Sequence, residues 1–394
     1  MNQVVLSGVG LWHPPHVITN AELVASYNAW AEAFNQANAA QIASGRLAAA
    51  APSSAEFIDK ASGVKQRYAY EKEGILDITR MRPNIIERSI DELSHQAEMA
   101  LAAARPALNA ANKQPQDIDM VIVSCAYTQR AYPAIAIEVQ AAMGIEGFGF
   151  DMLVACSAAT FALQRAYDAI AVGSARAVLV INPELTSPQV NYKDRDGHFI
   201  FGDVATAVVL ERAETCTSKH SYAVLGTRAR TVYSNNIRSN FGYLSFVDDS
   251  APFGADKLFH QNGRKVFKEV CPMVVDHLLA QIESLGLSVP DIRRWWLHQA
   301  NINMNQLIVR RLFGGDPTPD VAPIVLDEYA NTASAGSLIA FALHHEDLQA
   351  GDVGVICSFG AGYSIGSLVL KKVLKKGFEK GSAQSRQKAV VRQR

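Results

Sequence analysis

One internal duplication limits the possible folds of this chain more than any other feature. Residues 93–126 predict a helix, a turn and an apolar strand, and residues 264–300 repeat that order. Further along, Gly173 and Gly351 each stand in a short turn before a buried strand, 178 residues apart (351 − 173). Strand and helix patterns alternate in both copies, which is typical of α/β layering. We therefore expect equivalent elements around a pseudo-twofold axis, with the chemistry where the copies face each other.

The two copies are expected to form one fused body. The halves are residues 1–212 and 213–374. No Pro-, Gly- or Ser-rich spacer separates them, which indicates one body rather than two linked domains. The whole chain has 37 basic and 38 acidic residues, but residues 371–394 contain nine Lys or Arg and one acidic residue, a net charge of +8. We expect residues 375–394 to be a solvated, disordered tail, with an electrostatic docking arm as the alternative.

Residues 28–56, an Ala-rich stretch, depart from the symmetry. The spacing of Trp30, Phe34, Ile42 and Leu47 favours helix. Two interpretations stay open for this insertion. It is either a surface excursion that covers the core, or a lid or wall beside a substrate entrance.

Composition excludes several classes of protein. The chain is 49% hydrophobic and 19% charged, which is typical of a globular protein and excludes disorder throughout. No apolar run reaches the roughly 18 residues of a membrane span, and no secretory signal is expected, so we predict a cytoplasmic protein. No basic stripe indicates nucleic-acid binding. The five cysteines form no CxxC pair, which argues against zinc and, with the odd count, against a disulfide framework.

Cys156 is a candidate nucleophile. It follows an apolar strand at residues 148–153 and precedes an Ala-rich helix that runs through Ala171. At a helix N-terminus the dipole and the free N–H groups favour a thiolate, and a strained strand-to-helix turn presents a nucleophile outward. The alternative is a small buried hydrophobic residue, which is what most free cysteines are.

Two residues of the second copy are candidate partners of Cys156. His298 ends an apolar strand just before a helical pattern, where α/β proteins place ligand groups, although a histidine satisfied in the core is the alternative. Asn331 lies 175 residues after Cys156 (331 − 156), and we expect both residues to follow a strand and open a helix. An ordinary helix cap is the alternative for Asn331, but the repeat offset favours a functional role.

A Gly-rich turn at residues 358–366 lets the backbone approach a ligand and direct an N–H group at an oxyanion. It is not a phosphate loop, since no GK[ST] follows.

Together these segments resemble the β-ketoacyl-ACP synthase III family over residues 1–372. The motifs that carry the resemblance occur in the family's order: Ala155-Cys-Ser-Ala-Ala159, Phe201-Gly-Asp203, Asn262–Lys268, His298-Gln-Ala-Asn301, Asn331-Thr-Ala-Ser334 and Phe359-Gly-Ala-Gly362. The resemblance implies a thiolase-like five-layer αβαβα fold made of two pseudo-repeated halves.

The resemblance also implies a mechanism. Cys156 attacks an acyl thioester and carries the acyl group, with the backbone N–H groups of Cys156 and Ala361 as the oxyanion hole. Malonyl-ACP then loses CO2, and neutral His298 with the Asn331 amide donates hydrogen bonds to the enolate. No metal and no redox cofactor is needed. The single His with an Asn separates the chain from the elongating synthases, which resemble a Cys-His-His pattern.

Other positions match the family's contacts with CoA and with the carrier protein: Phe57, Lys60, Arg195, Lys268, Asn301, Asn303, Arg310 and Arg311. Two of the family's usual arginines are missing, at Ala61 and at Asn303. Tyr132 and Pro133 match a pair that, in the family, lines the far end of the acyl pocket from the second subunit of a homodimer. With the insertion, the pattern resembles the branch that primes from medium-chain acyl-CoA, of β-ketodecanoyl-ACP synthase type.

Two alternatives to a priming synthase stay open. One is a same-fold acyltransferase or condensing enzyme of secondary metabolism that passes the acyl group to another acceptor. The other is a catalytically silent partner subunit of a condensing pair. Asn331 favours decarboxylation, because simple acyl transfer needs no enolate stabiliser, and the intact set of Cys156, His298 and Asn331 argues against a silent subunit.

Overall fold

The computed structural model describes residues 2–249, 251 and 254–373, so the predicted tail at residues 375–394 lies outside the described residues. The strands are β1 (Val4–Trp12), β2 (His16–Thr19), β3 (Gln66–Ala69), β4 (Met120–Cys125), β5 (Phe148–Leu153), β6 (Ala177–Glu184), β7 (Val204–Arg212), β8 (Ser221–Ser234), β9 (Ile237–Arg238), β10 (His260–Gln261), β11 (Ile292–Leu297), β12 (Val353–Gly360) and β13 (Gly362–Val373). The helices are α1 (Asn20–Ala37), α2 (Ala39–Ala43), α3 (Ala55–Ser62), α4 (Glu73–Leu76), α5 (His95–Ala111), α6 (Ile135–Met143), α7 (Ala158–Val172), α8 (Gly263–Ser284), α9 (Ile302–Phe313), α10 (Leu326–Tyr329) and α11 (Gly336–Leu343).

Nine strands are joined in the order β11-β12-β13-β8-β1-β7-β6-β4-β5. Read outward from the β1–β8 pair, the first half runs 1-7-6-4 and the second 8-13-12-11, which is the same order twice. Within the sheet, the two halves are joined by the β1–β8 pair, in which Val5 lies opposite Ala223 and Leu6 opposite Tyr222. β4 is parallel to β6, as β11 is parallel to β12, whereas β6–β7 and β12–β13 are antiparallel. The predicted duplicated α/β architecture is confirmed.

Helices form three layers around the two halves of the sheet. α7 and α11 lie in the inner core, which buries residues of β1, β4, β6, β7, β11, β12 and β13. α5 and α6 cover the outer face of the first half, and α8 and α9 cover that of the second. Strands β6 and β12 are buried at every position because helices cover both faces. This is the five-layer αβαβα arrangement.

Close helix packing explains two glycines of β1. A Cβ on Gly8 would stand 2.2 Å from the carbonyl oxygen of Ala107, and a Cβ on Gly10 would stand 2.1 Å from that of Ala103. Both carbonyls belong to α5, which is rich in alanine on the same face. The small residues on the two elements let the helix lie directly on the strand.

The insertion at residues 28–56 is only partly helical. α1 covers its beginning and α2 is a short continuation, but residues 44–54 have no helix or strand, so the predicted helical pattern ends before Leu47. Trp30 and Phe34 of α1 pack together with ring centroids 5.3 Å apart. In the described part of the chain, no helix is long and apolar enough to cross a membrane.

Candidate active site

Cys156 stands in a tight turn between β5 and α7. Residues Ala155–Ser157 form a single 3-10 turn, and Ala155 has a φ of 44°. A non-glycine residue in the left-handed region is strained, and such strain collects at functional positions. The turn is fixed across the molecule by the Ser157 hydroxyl, which donates to the backbone oxygen of Ser364, 3.0 Å away. The predicted strained elbow is present.

The expected stabilisation of a thiolate is not borne out in the resting site. Burial raises the pKa of Cys156 to about 12, and the charge of Glu184 raises it further, whereas the backbone N–H groups of Ala361 and of Cys156 itself lower it. Desolvation of a buried anion therefore outweighs the helix N-terminus. The two N–H groups that lower the pKa are those predicted to form the oxyanion hole.

The Gly-rich turn is the hairpin between β12 and β13. Gly360 lies directly against the cysteine, since a Cβ there would stand 3.0 Å from the Cys156 Sγ. Only a residue without a side chain permits this approach. The hairpin thereby brings the Ala361 N–H to the sulfur.

His298 follows the last residue of β11. Its backbone N–H donates to the Cys357 oxygen at 2.8 Å, and its ring packs edge-on against Phe359 with centroids 5.2 Å apart. Burial lowers the pKa of His298 to about 3, so the imidazole is neutral. Its Nδ1 is buried and has no hydrogen-bond partner among the described residues. Residue 298 is therefore a neutral, desolvated imidazole with an unused ring nitrogen.

Asn331 does not follow a strand as predicted, since the short helix α10 and Ala330 precede it. Its backbone pairs with the 200–202 segment in an isolated bridge to Phe201. The side-chain oxygen accepts from the Ala333 N–H at 3.0 Å, which leaves the amide nitrogen to donate elsewhere. Ala330 has a φ of 58°, so the repeat offset of 175 residues from Ala155 also preserves the backbone strain (330 − 155).

The structure packs together the segments that carry these three residues. The turn that carries Cys156 packs against the 3-10 turn Ala333–Ala335, which follows Asn331, and against β12. His298 reaches the same place through Phe359, the neighbour of Gly360. A thiol, a neutral imidazole and an amide are thus buried on neighbouring segments. That set of groups suits nucleophilic acyl transfer combined with hydrogen bonding to an oxygen anion.

Glu184 is a buried acid beside the site that the sequence analysis missed. Its carboxylate accepts from the Ala126 N–H and the Ser334 N–H, each at 3.0 Å, and also from the Ser334 hydroxyl. Burial raises the pKa of Glu184 to about 7, although these hydrogen bonds lower it. The sequence signal was an acidic residue at the end of the apolar strand β6, because a buried acid needs hydrogen-bond partners and is therefore rare in such a strand.

Phe57 and Arg195, both predicted to contact CoA, lie together. The Arg195 guanidinium lies over the Phe57 ring, 3.8 Å from its centroid. The predicted contact residue Asn301 has both ends of its side chain engaged inside the chain. It donates to the Ala61 oxygen at 2.7 Å and accepts from the Asn303 N–H at 2.9 Å. Asn301 therefore fixes α3, which carries Phe57, to the start of α9.

The remaining predicted contact residues are exposed. They are Lys60, Lys268, Asn303, Arg310 and Arg311, and of these Arg310 pairs with Asp316. Tyr132 is 82% exposed and Pro133 is exposed beside it, so neither is buried in a pocket of its own chain. Among the described residues, no group of three or more His, Cys, Asp or Glu could hold a metal ion.

Comparison with known proteins identifies relatives along most of the chain. The 3-oxoacyl-[acyl-carrier-protein] synthase III family matches residues 150–229, and its C-terminal part matches residues 282–372. A beta-ketodecanoyl-[acyl-carrier-protein] synthase of Pseudomonas aeruginosa is 54% identical over 88% of this chain and 99% of its own. A beta-ketoacyl-[acyl-carrier-protein] synthase III of Brucella anthropi is 33% identical over 76% of this chain and 93% of its own.

Solved structures share the fold. The 3-oxoacyl-[acyl-carrier-protein] synthase III of Aquifex aeolicus VF5 superposes with a TM-score of 0.72 at 24% identity, covering 93% of this chain and 99% of its own. The priming beta-ketosynthase of the R1128 polyketide pathway gives a TM-score of 0.74 at 23% identity, covering 95% of this chain and 97% of its own. At these identities the likeness concerns the fold.

Proposed function

Because the chain belongs to the β-ketoacyl-ACP synthase III family, it is a condensing enzyme of fatty acid synthesis, and we propose that it joins a medium-chain acyl-CoA to malonyl-ACP through an acyl group on Cys156. The observation that carries the proposal is that Cys156, His298 and Asn331 are all buried and that the segments carrying them pack together. The medium chain length is supported by the similarity to a β-ketodecanoyl-ACP synthase over nearly the whole chain.

In the loading step, the Cys156 sulfur attacks the thioester carbonyl of acyl-CoA. The carbon–sulfur bond to CoA breaks, and the thiol proton ends on the CoA sulfur. The negative oxygen that forms on the way accepts hydrogen bonds from the N–H groups of Cys156 and Ala361. The N–H groups of Cys156 and Ala361 also lower the pKa of the Cys156 thiol, which means that they stabilise negative charge at the sulfur. This supports their role in the oxyanion hole.

In the condensing step, malonyl-ACP loses CO2 and the electron pair of the broken bond forms an enolate. The Asn331 amide and neutral His298 donate to the enolate oxygen. Its carbon attacks the acyl-Cys156 carbonyl, the carbon–sulfur bond breaks, and the cysteine regains a proton from solvent. Because burial keeps the pKa of His298 at about 3, the imidazole stays neutral across the physiological range. The Asn331 amide cannot titrate at all, so it donates at any pH.

We assign the two substrates to different charged groups. Arg195 over Phe57 suits the nucleotide of CoA, since a guanidinium stacks on aromatic rings and binds phosphate. The exposed cations Lys268, Arg310 and Arg311 suit an acidic carrier protein. Lys60 lies on α3 and Asn303 at the start of α9, the two helices that Asn301 joins, and we assign both to the CoA or carrier-protein contacts as well. Both substrates belong to the cytoplasm, and we propose that location for the protein.

A homodimer completes the proposal. β5 is the last strand of the sheet, and Phe148 and Leu153 on it are 48% and 55% exposed. An apolar edge strand is a template for pairing with another chain. With Tyr132 exposed nearby, we propose that two copies pair through β5 and that each lends Tyr132 and Pro133 to the acyl pocket of the other.

Intact-protein mass spectrometry tests the function. The enzyme is mixed with acyl-CoAs of two to twelve carbons, with Cys156→Ser as the control. The expected result is one added acyl group with medium-chain donors, absent in the control and cleared by malonyl-ACP. If no acyl-CoA and no acyl-ACP loads the protein, the priming-synthase function is wrong. Preferential loading of acetyl-CoA would overturn the assigned chain length alone.

A further inference from the structure

The insertion at residues 28–56 directly contacts Arg195. The Arg195 Nε donates to the backbone oxygen of Pro52 at 2.7 Å, while the guanidinium lies over the Phe57 ring. The Arg195 side chain is 34% exposed, and a long exposed side chain normally samples many rotamers. The Pro52 oxygen, the Phe57 ring and the Asp196 carboxylate, 3.3 Å from Nη1, together restrict its orientation.

The loop that carries Pro52 is itself fixed to α1. The Asn28 amide donates to the Ser53 oxygen at 3.0 Å and accepts from the Ser53 N–H at 2.8 Å. Asn35, two turns further along α1, makes the same pair of bonds with Ala50, again at 3.0 and 2.8 Å. Each asparagine side chain therefore pairs with the N–H and C=O of one loop residue, as a neighbouring strand would. Together the two asparagines fix the loop on both sides of Pro52.

The backbone of Arg195 is held to the same helix. The Tyr27 hydroxyl donates to the Ala51 oxygen at 3.2 Å, and the Tyr27 ring stacks on His198 with centroids 4.6 Å apart. The His198 Nδ1 donates to the Arg195 backbone oxygen at 2.8 Å. Side chain and backbone of Arg195 are thus both positioned by contacts that begin on α1 or on its loop.

The Arg195–Phe57 pair is connected to the segments that carry the catalytic residues. α3, with Phe57, is joined to the start of α9 by Asn301, three residues after His298. The segment after Arg195 continues to Ile200, whose oxygen accepts the backbone N–H of Asn331 at 3.0 Å. Arg195 and Phe57 are therefore fixed to the same framework that positions His298 and Asn331.

We infer that the insertion is a specificity element: Asn28, Asn35 and the Pro52 oxygen position Arg195 so that it recognises donors that carry a nucleotide. A planar cation beside an aromatic ring stacks on a nucleobase and binds phosphate, but it offers nothing to an acyl-pantetheine arm alone. Acyl-CoA is therefore selected over the same thioester without its nucleotide. The inference rests on the proposed function, because it assumes that Cys156 accepts acyl groups.

The experiment compares octanoyl-CoA with octanoyl-pantetheine, which lacks the nucleotide, as donors to Cys156. In the double variant Asn28→Ala/Asn35→Ala the KM for octanoyl-CoA is expected to rise about fivefold. The reason is that the Arg195 side chain would no longer be held in place and would have to be ordered when the donor binds. The kcat of the double variant, and its kcat/KM for octanoyl-pantetheine, are expected to stay unchanged. Gln36→Ala is the matched control, since this amide donates to Glu32 on the same exposed helix face, at 3.2 Å.

Arg195→Lys provides a second, independent variant. It keeps the charge but loses the Nε donor to Pro52, so the same selective rise in KM for octanoyl-CoA is expected. Combined with Asn28→Ala/Asn35→Ala it should add no further loss, because both changes act through Arg195. The inference would be overturned if kcat/KM fell equally for octanoyl-CoA and octanoyl-pantetheine. It would also be overturned if the combined variant lost as much kcat/KM for octanoyl-CoA as the two sets of changes added together. If neither donor loads wild-type Cys156, the proposed function fails as well, which separates the two outcomes.

Discussion

Gly360 and Cys156 are in direct contact: a Cβ on Gly360 would stand 2.5 Å from the Cβ and 3.0 Å from the Sγ of Cys156. The contact joins the hairpin of the second half to the nucleophile of the first half. It also fixes the distance between the sulfur and the Ala361 N–H, which is the next residue of the hairpin.

Gly360→Ala is therefore expected to slow acyl loading of Cys156 by about a hundredfold, because a displacement of about 1 Å at a reacting atom costs that much. The measurement is the rate of CoA release in the first turnover. Gly315→Ala is the control, since a Cβ there meets nothing within 4 Å. Loading at the wild-type rate in Gly360→Ala would mean that the hairpin has no part in positioning the sulfur.

Asn331→Asp separates the two half-reactions. The new side chain keeps an oxygen for the Ala333 N–H but replaces the amide donor with a second oxygen. Loss of one such donor costs about 10² to 10³ in rate, so condensation should fall by at least that factor while Cys156 still loads. Mass spectrometry should show an acyl-enzyme that malonyl-ACP no longer clears. Unchanged clearance would remove Asn331 from the condensing step.

The duplication was sufficient to predict much of this arrangement. Because each half has the same order of strands, residues about 175 positions apart occupy equivalent places about the pseudo-twofold axis, and those close to the axis face each other. Cys156 was found from its strand-to-helix turn, and the repeat offset then led from Cys156 to Asn331. It did not foresee α10 before Asn331, because the repeat pattern suggested a strand and the local bridge to Phe201 replaces it.

The electrostatics of the site lay beyond sequence reasoning. The pKa of Cys156 depends on burial by the β12–β13 hairpin, some two hundred residues away, and on the charge of Glu184. Asn301 belongs to a motif that suggests ligand binding, yet its side chain is used to hold α3. The pKa of Cys156 and the hydrogen-bond partners of Asn301 both depend on which distant segment of the chain packs against the residue. The sequence around the residue does not specify that segment.

Alkylation of Cys156 should depend steeply on pH. A raised pKa, here to about 12, leaves little thiolate at neutral pH, and that fraction grows tenfold per pH unit. The rate of reaction with iodoacetamide is thus expected to rise about a hundredfold from pH 7 to pH 9. Cys156→Ser corrects for labelling at the half-buried Cys216. A plateau beginning below pH 9 would show that the helix N-terminus outweighs burial after all.

Phe148→Asp should disrupt the proposed dimer. A charge on the apolar edge strand β5 opposes pairing with a second copy, so light scattering is expected to give a monomer. Condensation should fall as well, because Tyr132 of the second copy would leave the acyl pocket. Leu343→Asp is a matched control, since Leu343 is 49% exposed and Phe148 is 48% exposed. A wild-type monomer, or a dimer in Phe148→Asp, would contradict pairing through β5.

Glu184 should make the stability of the protein fall as pH rises from 4.5 to 7. Burial raises the pKa of Glu184 from 4.5 to about 7, so the folded protein holds a proton that the unfolded chain has already released in this range. The stabilisation is complete below pH 4.5 and is lost as pH rises through 7. A rise from 4.5 to about 7 corresponds to about 3 kcal/mol.

Glu184→Gln removes this titration, so the free energy of unfolding of the wild type should decrease relative to the variant between pH 5 and pH 8. At every pH the variant also places an amide N–H2 opposite one of the Ala126 and Ser334 N–H donors, which costs about 1 to 3 kcal/mol. Urea unfolding at both pH values measures the two effects together. Exposed Glu146→Gln is the control, with an expected change within about 0.5 kcal/mol. A difference between wild type and Glu184→Gln that does not vary with pH would mean that Glu184 is ionised throughout.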